Sequence, residues 1–146
     1  MLKLVEHLEG DFEPDDSLTL SFEYRQKSRQ RVVLDSGREA GLFLPRGTIL
    51  RGGDWLRAEN GRMIRVIAAA EPLSIAESRD PLLLMRACYH LGNRHIHLEI
   101  TSDSLRYQHD PVLDGMVSAL GLRIRTDHAP FEPEPGAYGG SSGHGH

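Results

Sequence analysis

Between Leu2 and about Ala70 the apolar residues come in short runs separated by turn-forming residues. Leu18, Leu20, Phe22 and Tyr24 alternate with Thr19, Ser21 and Glu23, the period-two pattern of a strand with one buried face. Further strand-like runs occupy Val32–Leu34, Gly41–Leu44, Thr48–Leu50, Trp55–Glu59 and Met63–Ala69, divided by Asp35-Ser36-Gly37, Pro45-Arg46-Gly47, Gly52-Gly53-Asp54 and Asn60-Gly61. Asn-Gly readily supplies the two positive φ values of a type I′ hairpin turn. Strands this short and this regularly interrupted predict a small all-β sandwich or partly open barrel. The basic run Arg25–Arg31 reads as a solvated hairpin turn with its flanks, or else as a patch for an acidic partner.

After Glu71-Pro72 the period lengthens and the chain is built twice on one plan. Asp80-Pro81 is an N-cap residue followed by proline at the first helical position. Leu84, Ala87, Cys88 and Leu91 then recur at helical spacing, and Leu91-Gly92 predicts a stop with glycine in the left-handed conformation. Asp110-Pro111 opens a second helix, Val112, Leu113, Met116, Val117 and Leu120 form its apolar face, and Leu120-Gly121 closes it. Strand-like segments at Leu73–Ala76, Ile96–Ile100, Leu105–Tyr107 and Leu122–Arg125 complete a β-α-β-β-α-β order, the split ferredoxin-like unit. Two helices should cover one face of its sheet and leave the other face and the edges for a partner.

The predicted class is therefore α+β: an all-β domain over residues 1–71, a ferredoxin-like domain over 72–128, and a tail over 129–146. That tail is rich in proline, glycine and serine, too poor in apolar groups to offset its ordering entropy, and is expected to be disordered. It ends in His144 and His146.

Composition narrows the function. Aromatic residues make up 6% of 146, so two modest cores are more plausible than one deep core. A net charge of −4 argues against a nucleic-acid protein, which normally shows a basic excess. Cys88 is the single cysteine, and the N-terminus lacks the apolar core of a secretory signal. No apolar run approaches the roughly 18 residues of a membrane span. A reducing, cytoplasmic setting with no membrane partner is expected.

Eight histidines are the main candidates for chemistry, since a neutral imidazole serves as metal ligand or proton carrier. His95 stands on the shoulder between a helix end and a strand start. His90 and His95 would lie about 140° apart on a continuous helix; His95 and His97, on one strand, would share a face but stand roughly 6.5 Å apart. Neither pair chelates strongly. Cys88 falls on the buried helical stripe and reads as a small core thiol before a nucleophile for His90. His144-Gly145-His146 could turn both imidazoles to one ion, with nickel, copper and zinc the suitable metals.

The run Arg86-Ala87-Cys88-Tyr89-His90-Leu91-Gly92-Asn93-Arg94-His95, the segment Leu105–Leu113 and the segment Ala129–Tyr138 together resemble the urease accessory protein E family, over nearly the whole chain. The resemblance implies a nickel metallochaperone that is not itself an enzyme. It implies a homodimer formed through the C-terminal domains, in which His95 of each copy binds one Ni²⁺, with zinc or copper as alternatives at the same site. His144 and His146 of either chain, or water, are expected to complete the shell. The N-terminal domain is expected to bind a partner or peptide, and the partners to be apo-urease and the other accessory proteins, including a GTPase. Many members carry His-Asp-His where this chain has His109-Asp110-Pro111, so His109 is a candidate ligand left without its neighbour. An RNA-binding module is the alternative from another class, but it needs exposed aromatics on the central strands. Ile96–Ile100 and Leu122–Arg125, expected to be central, offer none.

Overall fold

A computed structural model describes residues 1–136; the expectations for His144 and His146 lie outside the described residues. Among the described residues the chain divides into two compact units, Met1–Ala69 with residues 135–136, and Ala70–Glu134.

The first unit contains β1 (Leu2–Leu8), β2 (Asp16–Leu20), a single helical turn α1 (Phe22–Arg25), β3 (Arg29–Val33), β4 (Glu39–Phe43), β5 (Trp55–Ala58) and β6 (Met63–Ala68). They form one six-stranded sheet in the order β2-β6-β5-β1-β4-β3. Two residues beyond β3 the two edge strands are tied together: Asp35 donates its N–H to the Ser17 carbonyl (2.9 Å), and its carboxylate accepts from Ser17 Oγ and Thr19 Oγ1. The sheet is thus curled around Leu4, Leu18, Leu42, Leu56, Ile64 and Val66, all essentially without exposure.

Three features of this unit differ from the sequence pattern. The alternation from Leu18 to Tyr24 is broken after Leu20, because Arg25 is fully buried and requires a turn of helix to reach its partners. Its Nε donates to the Leu20 carbonyl and its Nη1 to that of Leu50, both at 3.1 Å, so the basic run is not wholly solvated. Thr48–Leu50, expected as a strand, has no ladder partner and instead presents that carbonyl. At Asn60-Gly61 only Gly61 has positive φ (+89°). Gly61 N–H donates to Ala58 O, and Ala58 N–H to Arg62 O, a three-residue loop closed by a left-handed glycine rather than a type I′ turn.

His7 is accounted for in this unit. Its Nε2 lies 2.7 Å from Asp54 Oδ2, and that hydrogen bond holds its pKa above the ordinary value against the opposing effect of burial. A raised folded pKa contributes stability that is complete below the unfolded value, about 6.5, and is lost as pH rises through the folded one. Thermal melts across this window should show the fall in wild type and a flatter profile in Asp54→Asn; equal slopes would refute the assignment.

The second unit runs β7 (Ala70–Glu77), α2 (Pro81–Asn93), β8 (Glu99–Ile100), β9 (Ser104–Gln108), α3 (Pro111–Ala119) and β10 (Arg123–Pro130). Its antiparallel sheet has the order β10-β7-β9-β8, the ferredoxin-like arrangement expected. Asp80 and Asp110 cap the helices as their sequences predict, accepting from Leu82 N–H and from Val112 and Leu113 N–H. Leu84, Ala87, Leu91, Leu113 and Val117 face Ala76, Leu105 and Tyr107 of the sheet. Val112, expected in the apolar face of α3, is instead exposed.

The tail starts later than residue 129. Ala129 and Pro130 extend the ladder with Glu71 and Ala70, and Phe131 is fully buried. From the β10 edge the chain crosses to the opposite edge, where Glu132 N–H donates to the Glu99 carboxylate (2.9 Å) and Glu134 N–H to the Leu98 carbonyl (2.7 Å). Strand alternation places Phe131, Leu73 and Ile75 on the face opposite the helices, and all three are buried. That face is strapped by Phe131–Glu134 rather than left open. Ile96–Ile100 and Leu122–Arg125 also prove to be edge segments, with β7 and β9 central.

Candidate metal centre

Helix α2 does not stop at Gly92. It continues to Asn93, and the left-handed residue is His95, at φ +60°, the only non-glycine with positive φ among the described residues. Ile96 N–H donates to Leu91 O (3.1 Å) and His95 N–H to Gly92 O (3.0 Å). These bonds define a Schellman closure in which His95 holds the place that glycine usually takes. The physical reason lies in packing: Leu91 is fully buried and Ile96 closes over the same core, so the helix must end where that contact can form. The left-handed backbone then turns the exposed His95 imidazole away from it.

Topology gathers further histidines at this end of the sheet. Helix α2 begins just beyond the end of β7, packs over β9 and leads into β8, so that His90 and His95 lie toward the end of the sheet where β7 starts. His109 follows directly after β9, His128 is paired with Pro72, and His97 precedes β8, whose Glu99 pairs with Arg106. These five histidines are exposed. His95 and His97 do not share a strand, because β8 begins only at Glu99. His109 is oriented by Ser74 Oγ at 3.0 Å from its Nδ1 and Asp114 Oδ2 at 3.4 Å. Among the described residues no group of three or more His, Cys, Asp or Glu is placed to hold a metal. One copy therefore presents imidazoles without a closed site of its own there.

Cys88 is half-buried, and burial pushes its thiol pKa up, which lowers the thiolate fraction needed for a nucleophile or a ligand. Sequence reasoning did not single out His128, since nothing local distinguishes it; only the strand register places it opposite Pro72. It also did not anticipate the outer face of α2, where Leu82, Met85 and Tyr89 are 48%, 61% and 69% exposed. Residues at this spacing form one stripe. A groove of about 310 Å³ lined by Met85, Cys88 and Ile100 adjoins it. Tyr107, the aromatic residue of the central strands, is buried against Asp114 and offers no stacking platform for RNA. No helix of the described residues is long and apolar enough to cross a membrane.

Both units have counterparts among known proteins. Residues 2–69 match the family model of the UreE urease accessory protein N-terminal domain, and residues 71–146 that of its C-terminal domain. The urease accessory protein UreE of Alkalilimnicola ehrlichii is 56% identical over 140 residues, covering 96% of this chain and 86% of its own. That of Citrobacter koseri is 52% identical over 147 residues, covering 100% and 96%, and that of Escherichia coli O157:H7 is 50% identical, covering 100% and 95%. With both halves matched and half or more of the residues shared along its length, the chain belongs to the UreE urease accessory protein family.

Proposed function

We propose that this accessory protein is a cytoplasmic nickel carrier that works as a homodimer and is not itself an enzyme. Two copies pack through the apolar outer face of α2, and the two His95 imidazoles meet at the two-fold axis to hold one Ni²⁺. His144 and His146, with water, complete the shell. The carrier hands its ion to apo-urease together with the other accessory proteins, including a GTPase, and its N-terminal unit serves partner recognition. His109 belongs to a separate, ancillary position.

The observation that carries this reading is the pairing of an exposed, backbone-fixed imidazole at the end of α2 with an uncovered apolar stripe along the same helix. An exposed apolar patch of this kind marks an interaction surface. A two-fold axis sets such a patch against its own copy and turns one ligand per chain into two. Imidazole nitrogen suits nickel, with zinc and copper as competitors, and an incomplete shell favours release.

Nickel titration combined with solution mass tests it. Wild type should bind one tight equivalent per two chains, and His95→Ala should lose that equivalent while remaining folded. Equal tight binding by both proteins would remove His95 from the mechanism.

A further inference from the structure

We propose that the outer face and free edge of β3 dock an extended acidic segment of a partner protein, which pairs with β3 as an added strand. The proposal rests on the reading of the N-terminal unit as the part that recognises partners, and it names the chemistry of what is recognised.

Strand register shows which groups the edge offers. Leu44 N–H donates to Ser28 O and Leu34 N–H to Arg38 O, so the even-numbered residues of β3 turn their backbone groups toward β4. Those of Arg29, Arg31 and Val33 point off the sheet, where β3 is the last strand in the order. The next odd residue, Asp35, uses its N–H on the Ser17 carbonyl, and beyond that bond no ladder joins β3 to β2 among the described residues. An incoming strand therefore meets a row of edge groups from Arg29 to Val33 and a stop at Asp35.

The side chains beside that edge carry one sign of charge. Register sets Lys3 beside Gly41 and Gly41 beside Arg31, with Arg29 beside Phe43. Gly41 is covered by the Phe43 ring and the Met1 side chain: a Cβ there would stand 2.9 Å from Phe43 Cε2 and 3.0 Å from Met1 Cε. Lys3 Nζ and the Arg29 guanidinium lie 5.6 and 5.8 Å from the centre of that ring, which gathers both cations at one place. Arg31, Met1 and Val33 line an adjoining cavity of about 170 Å³. Lys3, Arg29 and Arg31 are exposed, and among the described residues none of them has a carboxylate within ion-pair distance. Glu39 is the one acidic side chain on β4, and it stands opposite Val33, beyond the cations.

Three exposed cations around an apolar surface complement carboxylates that flank an apolar side chain. The N–H and C=O groups of an edge strand supply affinity to an extended segment, and the side-chain positions select its sequence. RNA fits less well, because the two cations already lie over the Phe43 ring and occupy the surface on which a base would stack.

The test uses the full chain and a blocked peptide of alternating glutamate and valine, with backbone amide NMR and hydrogen exchange as readouts. Binding should slow exchange at the Arg29, Arg31 and Val33 amides and leave Gln30 and Val32, already bonded to β4, unchanged. Affinity should fall as salt is raised, and by about 10-fold or more in Arg29→Glu/Arg31→Glu. Val33→Pro keeps the charges and the β4 ladder but removes an edge donor, so it should weaken binding too. The lysine counterpart of the peptide should not bind. The proposal is overturned if wild type does not bind the acidic peptide, if the charge reversal binds it equally, if oligouridylate binds the same edge more tightly, or if the perturbed amides lie elsewhere. Perturbation elsewhere within Met1–Ala69 would spare the reading of that unit as the one that recognises partners. Perturbation confined to Ala70–Glu134 would end that reading as well.

Discussion

Replacing His95 by glycine should abolish the tight nickel equivalent and leave the protein at least as stable as wild type. His95 occupies the left-handed position of a Schellman closure at φ +60°. A residue with a Cβ is disfavoured there by roughly 1–2 kcal/mol, and glycine is not. The greater freedom of glycine in the unfolded chain takes back about 0.4–1 kcal/mol, so the net gain is of the order of 1 kcal/mol or less. For a chain of this length that is a rise in Tm of up to about 4 °C. His95→Ala keeps the backbone strain and should melt close to wild type. Thermal melts and nickel titrations on both variants check this together. A His95→Gly protein that melts well below wild type would mean the histidine side chain supports the fold, and the site would lose its interpretation as a strained ligand.

Met85→Glu combined with Tyr89→Glu should turn the proposed dimer into a monomer and remove the tight nickel binding proposed for it, although neither residue is a proposed ligand. Both side chains are more than half exposed in the single chain, so the monomer has little reason to unfold. In a two-fold interface each substitution appears twice, and an uncompensated buried charge costs about 3–5 kcal/mol. Even a total of about 4 kcal/mol weakens association roughly a thousandfold. Mass in solution, circular dichroism and a nickel titration check the result. A double variant that stays dimeric and binds one ion per pair would place the interface elsewhere. A folded monomer that still bound nickel tightly would place the whole site within one chain.

Much of the architecture is legible locally. Asp80-Pro81 and Asp110-Pro111 announce both helix starts because capping depends on two adjacent residues, and the caps are as expected. The features that escaped reading depend on distant partners. Leu20 ends its strand because Arg25 reaches the Leu50 carbonyl. Strand β10 runs on to Pro130 because β7 offers it a ladder back to Ala70. The helix stop was read from the nearest glycine, Gly92, whereas the burial of Leu91 and Ile96 carries the left-handed turn on to His95. His95 is put forward as a ligand only through its resemblance to a family segment. The placing of His109 and His128 on either side of Pro72 was not legible, since register across three strands is invisible to spacing.

The strap from Phe131 to Glu134 makes the footing of the histidine loop and the C-terminal segment one mechanical unit. Strand β8 has only two ladder residues, Glu99 and Ile100, and Glu99 and the adjoining Leu98 accept the N–H groups of Glu132 and Glu134. Tension applied to the chain beyond Glu134 is delivered first to Leu98, next to His97, while α2 and its cap stay anchored in the core. A protein that grips this end of the chain therefore holds a lever on the loop that presents His95.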